Sequence, residues 1–148
     1  RMSRGLGDVY KRQIPNPIEE VGNEQDFEAM GVHMVAPADG ENKQFFIING
    51  EVAEISFSEN GVSYCYRASN TAEDFAGIFE RFKDDILVVS WKSGDAAGEA
   101  QVKTTESGGR LASWSWGSTG YTLYTASDIS DEDCTNIVTN LMELSYHE

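Results

Sequence analysis

The chain has 148 residues and a net charge of -14, from 25 acidic and 11 basic side chains. Its hydrophobic content of 40% is too high for a disordered chain and suffices for one domain with a real core. A surface this acidic repels phosphate backbones, which argues against general nucleic-acid binding, and no apolar run is long enough to span a bilayer.

Residues 1–13 show no apolar periodicity and lack the apolar stretch of a signal peptide. They hold four of the 11 basic side chains and one of the 25 acidic ones, so residues 14–148 carry a net charge of -17. Asp8 to Gln13 resembles the translated end of a transposon-based sequencing adaptor. We therefore expect 1–13 to be a non-native, disordered segment and 14–148 to be a single α+β domain. A leader replaced at such a junction would leave no trace here, so the lack of a targeting signal carries no weight on location.

Ile14-Pro15-Asn16-Pro17-Ile18 reads as an extended lead-in, because each proline biases its predecessor away from helix. Asn23 is placed to cap a short helix over Glu24 to Met30 that stops at Gly31. Val32, Met34 and Ala36 alternate with polar or small neighbours and predict a short strand. Three runs follow, Gln44 to Ile48, Glu51 to Phe57 and Val62 to Ala68, separated by Asn49-Gly50 and Asn60-Gly61. Both residues of such a turn tolerate positive φ, so two in succession predict a three-stranded antiparallel meander.

Asn70 then stands as a candidate cap for a helix whose apolar stripe is Phe75, Ile78, Phe79 and Phe82. The second half reads as four strands, Asp85 to Trp91, Glu99 to Glu106, Arg110 to Trp116 and Tyr121 to Ala126, divided by glycine turns. Ser130 caps a last helix, Asp131 to about Leu144, with Ile129 placed to staple to Cys134. The fold class expected is α+β: a curved antiparallel sheet of about seven strands, in meander-helix-meander-helix order, with helices packed on one face.

The chemistry-bearing residues are few. His33 and His147 stand apart, and there is no nucleophile elbow, zinc-protease motif or phosphate loop. No catalytic residue, cofactor or metal site is expected. Cys65 and Cys134 fall on opposite phases of their elements, which argues against a disulfide. Asp128, Asp131, Glu132 and Asp133 crowd the last helix start, where the dipole alone favours acids; their spacing is not that of an EF-hand. The aromatic residues Trp91, Trp114, Trp116, Tyr121, Tyr64 and Tyr66 lie on neighbouring predicted strands. They either line a concavity for an apolar ligand or partner peptide, or fill the space between sheet and helices.

Several stretches together resemble a known family. They are Asn16-Pro17-Ile18 with the acidic helix after it, Ile47 to Phe57, Tyr66-Arg67-Ala68 leading into Glu73-Asp74-Phe75-Ala76-Gly77, Leu111-Ala112-Ser113-Trp114, Gly120-Tyr121-Thr122-Leu123, and Ile129-Ser130 with the final helix. The pattern is similar to an uncharacterised extracytoplasmic domain family of Gram-positive secreted lipoproteins and anti-sigma-factor-like proteins. Trp116-Gly117 departs from it where an acid and a glycine are expected. The resemblance implies a lipoprotein-carrier-like fold, a curved sheet around helices, and a non-catalytic, secreted or membrane-anchored role with an anchor preceding Ile14. It supplies no catalytic residues. The expectation is a monomer that binds an unknown protein or cell-envelope partner. The alternatives are a carrier of an apolar ligand in the aromatic concavity and, remotely, an acid-residue hydrolase with two convergent carboxylates in a cleft.

Overall fold

A computed structural model describes residues 18–71, 75–78 and 80–146. The expected non-native segment 1–13, Phe79 and His147 lie outside the described residues. The elements, in chain order, are β1 (Ile18–Val21), α1 (Gln25–Glu28), β2 (Glu41–Ile48), β3 (Val52–Glu59) and β4 (Val62–Ser69), then β5 (Phe82–Ser93), β6 (Ala96–Thr105), β7 (Arg110–Trp116), β8 (Thr119–Thr125) and α2 (Asp131–Ser145). The strands form one open antiparallel sheet in the order β1-β2-β3-β4-β8-β7-β6-β5. The sheet has eight strands rather than about seven, because Ile18–Val21 continues the lead-in as a strand paired to β2.

The two Asn-Gly turns form as expected. Asn49 and Gly50 have φ of 54 and 68°, and Asn60 and Gly61 have φ of 53 and 78°. Glu59 pairs directly with Val62 across the second turn. Two four-stranded meanders result, and they join where β4 pairs with β8, with Tyr66 opposite Leu123 and Ala68 opposite Tyr121. Alternate residues of β3, β4, β7 and β8 point into a single core, including Ile55, Phe57, Tyr66, Tyr121, Leu123 and Trp114.

Two predicted elements do not form among the described residues. The helix expected after Asn70 does not form at the described residues 75–78 or 80–81, and Phe82 begins β5. Gly77 has a φ of +74°, which a right-handed helix does not allow. The Phe75 and Ala76 carbonyls accept instead from the Arg67 guanidinium, at 3.0 and 3.2 Å. Arg67 is itself held by Glu54 at 2.8 Å, so a charged pair on the outward side of the sheet anchors the crossover. Asn70 serves as a clamp rather than a helix cap. Its amide donates to the Gly31 carbonyl at 2.8 Å, and its oxygen accepts from the Thr119 hydroxyl.

The second absence is the strand over Val32 to Ala36. Those residues are buried in alternation, as the pattern requires, but they pair with no strand of the sheet. Side chains of other segments bond two of its backbone groups. The Glu24 carboxylate accepts from the Ala36 N–H at 3.1 Å, and the Tyr121 hydroxyl donates to the His33 carbonyl at 2.6 Å. The apolar rhythm of a half-buried strand therefore arises here from an extended segment laid against side chains.

The last helix starts at its expected cap, with Ser130 accepting from the Asp133 N–H at 3.0 Å. The first does not: α1 is shorter than the expected Glu24–Met30, its N-cap is Glu24 without a side-chain cap bond, and the Asn23 side chain accepts from the Gln25 N–H at 2.9 Å in a turn ahead of it. Arg110 of β7 reaches the Ile129 carbonyl at 3.0 Å and Asp131 at 2.6 Å, fixing the start of α2 to the sheet. Cys134, Ile137, Val138 and Leu141 are buried as the apolar spacing predicts, but Leu144, expected in the same stripe, is only partly buried and Met142 is buried instead.

The two sheet edges carry different protection. β1 is short and holds Glu19 and Glu20. β5 is long and leaves Ile86 and Val88 half exposed, but its register shifts between Phe82 and Ile86, where Lys83, Asp84 and Asp85 lie. Irregularity and charge on an edge discourage pairing with other chains.

Candidate functional site

Of the places that gather side chains able to bind something, two are built from distinct sets of residues, and a further cleft of about 330 Å³ touches Trp114 and Tyr121 beside Phe75 and Leu111. The first is the aromatic wall. Tyr64, Tyr66, Trp91, Trp114, Trp116 and Tyr121 are all buried, none more than 8% exposed. Trp114 stacks on Tyr121 at 5.6 Å, and Tyr66 stacks on Trp114 at 5.9 Å. Trp91 meets Trp116 edge-on at 5.5 Å, and Tyr146, just past α2, packs on both indoles at 5.2 and 5.0 Å. Tyr64 lies apart from these rings, stacked on Phe57 at 5.3 Å.

α2 meets the indole tips of Trp114 and Trp116, while the Tyr66 hydroxyl is buried with no hydrogen-bond partner among the described residues. The Trp116 indole N–H donates to the Met142 carbonyl at 3.1 Å, and the Trp114 indole N–H reaches the Ser145 hydroxyl at 3.4 Å. Ser145 in turn donates to the Leu141 carbonyl at 2.7 Å. A buried Trp finds a partner for its N–H, and here the end of α2 supplies it. Burial drives the Tyr66 and Tyr121 phenols well above their ordinary range, so both stay neutral. The sheet makes room for these rings locally. A Cβ on Gly98, on β6, would lie 1.8 Å from the Trp116 ring, so the indole lies directly on the glycine.

The second place is a cleft of about 200 Å³ between the β3–β4 hairpin and α2. Its polar lining is Glu59, Asn60, Tyr64, Asp133, Asn136 and Asn140. Val62, Ile129 and Ile137 form its apolar part. The Asn60-Gly61 turn places Glu59 and Tyr64 on one side. The spacing of Asp133, Asn136 and Asn140 places all three on one flank of α2, beside its apolar stripe. Of the six predicted aromatics only Tyr64 reaches this cleft, from the far end of the row.

The electrostatics of the cleft are one-sided. Burial, and then the Asp39 charge, raise the Glu59 carboxyl above its ordinary range. Burial, with smaller contributions from Glu59, Cys134 and Asp133, pushes the Tyr64 phenol up to about 12. One Glu59 oxygen is buried with no hydrogen-bond partner among the described residues. No basic side chain lines the cleft. Sequence reasoning took Asn60 for a turn residue and Asp133 for a dipole-favoured acid, and passed over Glu59, Asn136 and Asn140. The i, i+3, i+7 spacing on α2 was the signal that could have grouped three of them.

Other candidate chemistry is scattered. Cys65 and Cys134 are free thiols. Burial, followed by the neighbouring Glu54 charge, pushes the Cys65 thiol up to about 12, which keeps it protonated and unreactive at neutral pH. Among the described residues, no group of three or more His, Cys, Asp or Glu side chains could hold a metal ion. Comparison with protein-family models, curated proteins and solved structures found no match.

Proposed function

We propose that this chain is a non-catalytic extracytoplasmic domain that binds a protein or cell-envelope partner through its surface. The observation that carries the reading is the contact between the aromatic wall and α2. The indole of Trp116 bonds to Met142, and Tyr146 covers both Trp91 and Trp116. Phe27 of α1 belongs to the same core as the buried stripe of α2. We infer from these contacts that the sheet curves around its helices and that the rings serve as core. Binding is then left to the outside, where the hairpin–α2 cleft is the candidate that combines two carboxylates with an apolar strip. The resemblance to domains of secreted lipoproteins supports a secreted or membrane-anchored location, and the net charge of -14 favours a soluble domain that stays clear of anionic surfaces.

The competing carrier reading needs α2 to give way to an apolar ligand. The two are separated by titrating the folded protein with an environment-sensitive fluorescent fatty acid. Surface binding predicts no saturable uptake below the unfolding transition. Saturable uptake that quenches tryptophan emission would replace it with the carrier.

A further inference from the structure

The hairpin–α2 cleft has a chemistry that narrows what it can receive. Six polar side chains converge there, and their hydrogen-bonding capacity is biased toward acceptance. Glu59 and Asp133 offer carboxylate oxygens and, when ionised, no donor, while Asn60, Asn136 and Asn140 each offer an amide oxygen beside an NH2 group and Tyr64 a hydroxyl. The lining contains no cation, and neither carboxylate forms an ion pair among the described residues. One Glu59 oxygen is buried without a hydrogen-bond partner among the described residues, an acceptor open to a donor. Beside these acceptors lies an apolar strip of Val62, Ile129 and Ile137.

We propose that this cleft binds a primary alkylammonium group, such as a lysine side chain of the partner, with the ammonium against Glu59 and Asp133 and its methylene stem along Val62, Ile129 and Ile137. The inference rests on the surface-binding reading above. An ammonium has three donors and no acceptor, which matches a site of carboxylates and amide oxygens. Long cationic side chains lay their stems on apolar surface while the head stays among polar groups, which matches the divided lining. A carboxylate or phosphate ligand would meet two like charges and a strongly negative chain. A neutral alcohol would leave the carboxylates uncompensated.

The test uses the full chain and three probes at matched ionic strength: butylammonium chloride, butanol and sodium chloride. Nuclear magnetic resonance follows the side-chain amides of Asn60, Asn136 and Asn140 and the three indole N–H groups. Saturable shifts of the Asn amides with butylammonium alone are expected, and Glu59→Gln with Asp133→Asn should weaken them about tenfold or more, the effect of losing one or two charge-assisted contacts. Circular dichroism of the double variant confirms that it folds. Equal shifts with butanol, no shift with butylammonium, or binding unchanged in the folded double variant would overturn the proposal. Any of these alongside a negative fatty-acid titration would leave surface binding standing and remove only the ammonium. Shifts at the indoles instead would point to the wall, and so against both.

Discussion

The aromatic wall and the hairpin–α2 cleft share one helix yet meet it with different chemistry. At the wall, α2 presents its apolar stripe and its last turn, and the Trp114 and Trp116 indole N–H groups reach partners there. At the cleft, the same helix presents Asp133, Asn136 and Asn140, and the facing Glu59 keeps a buried oxygen without one. Each place also holds a buried polar atom without a hydrogen-bond partner among the described residues, the Tyr66 hydroxyl at the wall and a Glu59 oxygen at the cleft. The wall is built of large stacked rings, and the cleft pairs two carboxylates with side-chain amides and has no basic side chain in its lining. The difference lies in charge and ring content rather than in how fully the polar groups are bonded.

This contrast can be broken or sharpened by mutation. The largest effect is expected at the wall. Trp116→Ala removes a buried ring and its bond to Met142, and should cost about 3–5 kcal/mol by urea denaturation. A loss under ~1 kcal/mol would mean that the ring is not core. Gly98→Ala comes next, because its Cβ would collide with the same ring at 1.8 Å; overpacking of this kind costs about 1–3 kcal/mol. Gly50→Ala is its control. An added Cβ there meets nothing within 4 Å, but the φ of +68° still strains an L-residue, for a loss of about 1 kcal/mol in thermal melts. If both glycine variants lost the same stability, the close fit of Trp116 would be doubtful.

The smallest effect belongs to the cleft, and it has the opposite sign. The folded state holds the Glu59 proton more tightly than the unfolded chain does, since burial and Asp39 raise its carboxyl. The resulting penalty is absent below the unfolded pKa and develops as pH rises through the folded value. Glu59→Gln should therefore raise stability at neutral pH by less than about 1 kcal/mol, with partial exposure limiting the gain. The difference should vanish near about pH 3.5, where the unfolded carboxyl is protonated as well. A destabilised variant at neutral pH would show that Glu59 has a stabilising partner in the fold.

What was legible in the sequence follows the reach of each interaction. Asn49-Gly50 and Asn60-Gly61 encode their turns in two adjacent residues, and both turns form. Ser130 and the stripe from Cys134 to Leu141 encode α2 within a few turns. The crossover after Asn70 was misread because its determinants are distant. Phe75 and Ile78 have helical spacing, yet Arg67 takes the local carbonyls and Gly77 adopts a positive φ. Val32, Met34 and Ala36 alternate as a strand would, but their backbone is bonded by side chains, Glu24 just ahead of α1 and Tyr121 of β8, rather than by a strand of the sheet. The cleft was harder still, since Glu59 and Asn140 are brought together only by the tertiary fold.

The account turns on whether α2 stays closed over the wall. Hydrogen exchange at the Trp116 indole N–H, followed in native conditions with increasing denaturant, measures that directly. Closure predicts that this proton exchanges only through global unfolding, with the same free energy as the slowest amides of α2. Exchange at a free energy well below that of global unfolding would show that the helix lifts from the sheet while the rest stays folded. The wall would then be open to a ligand.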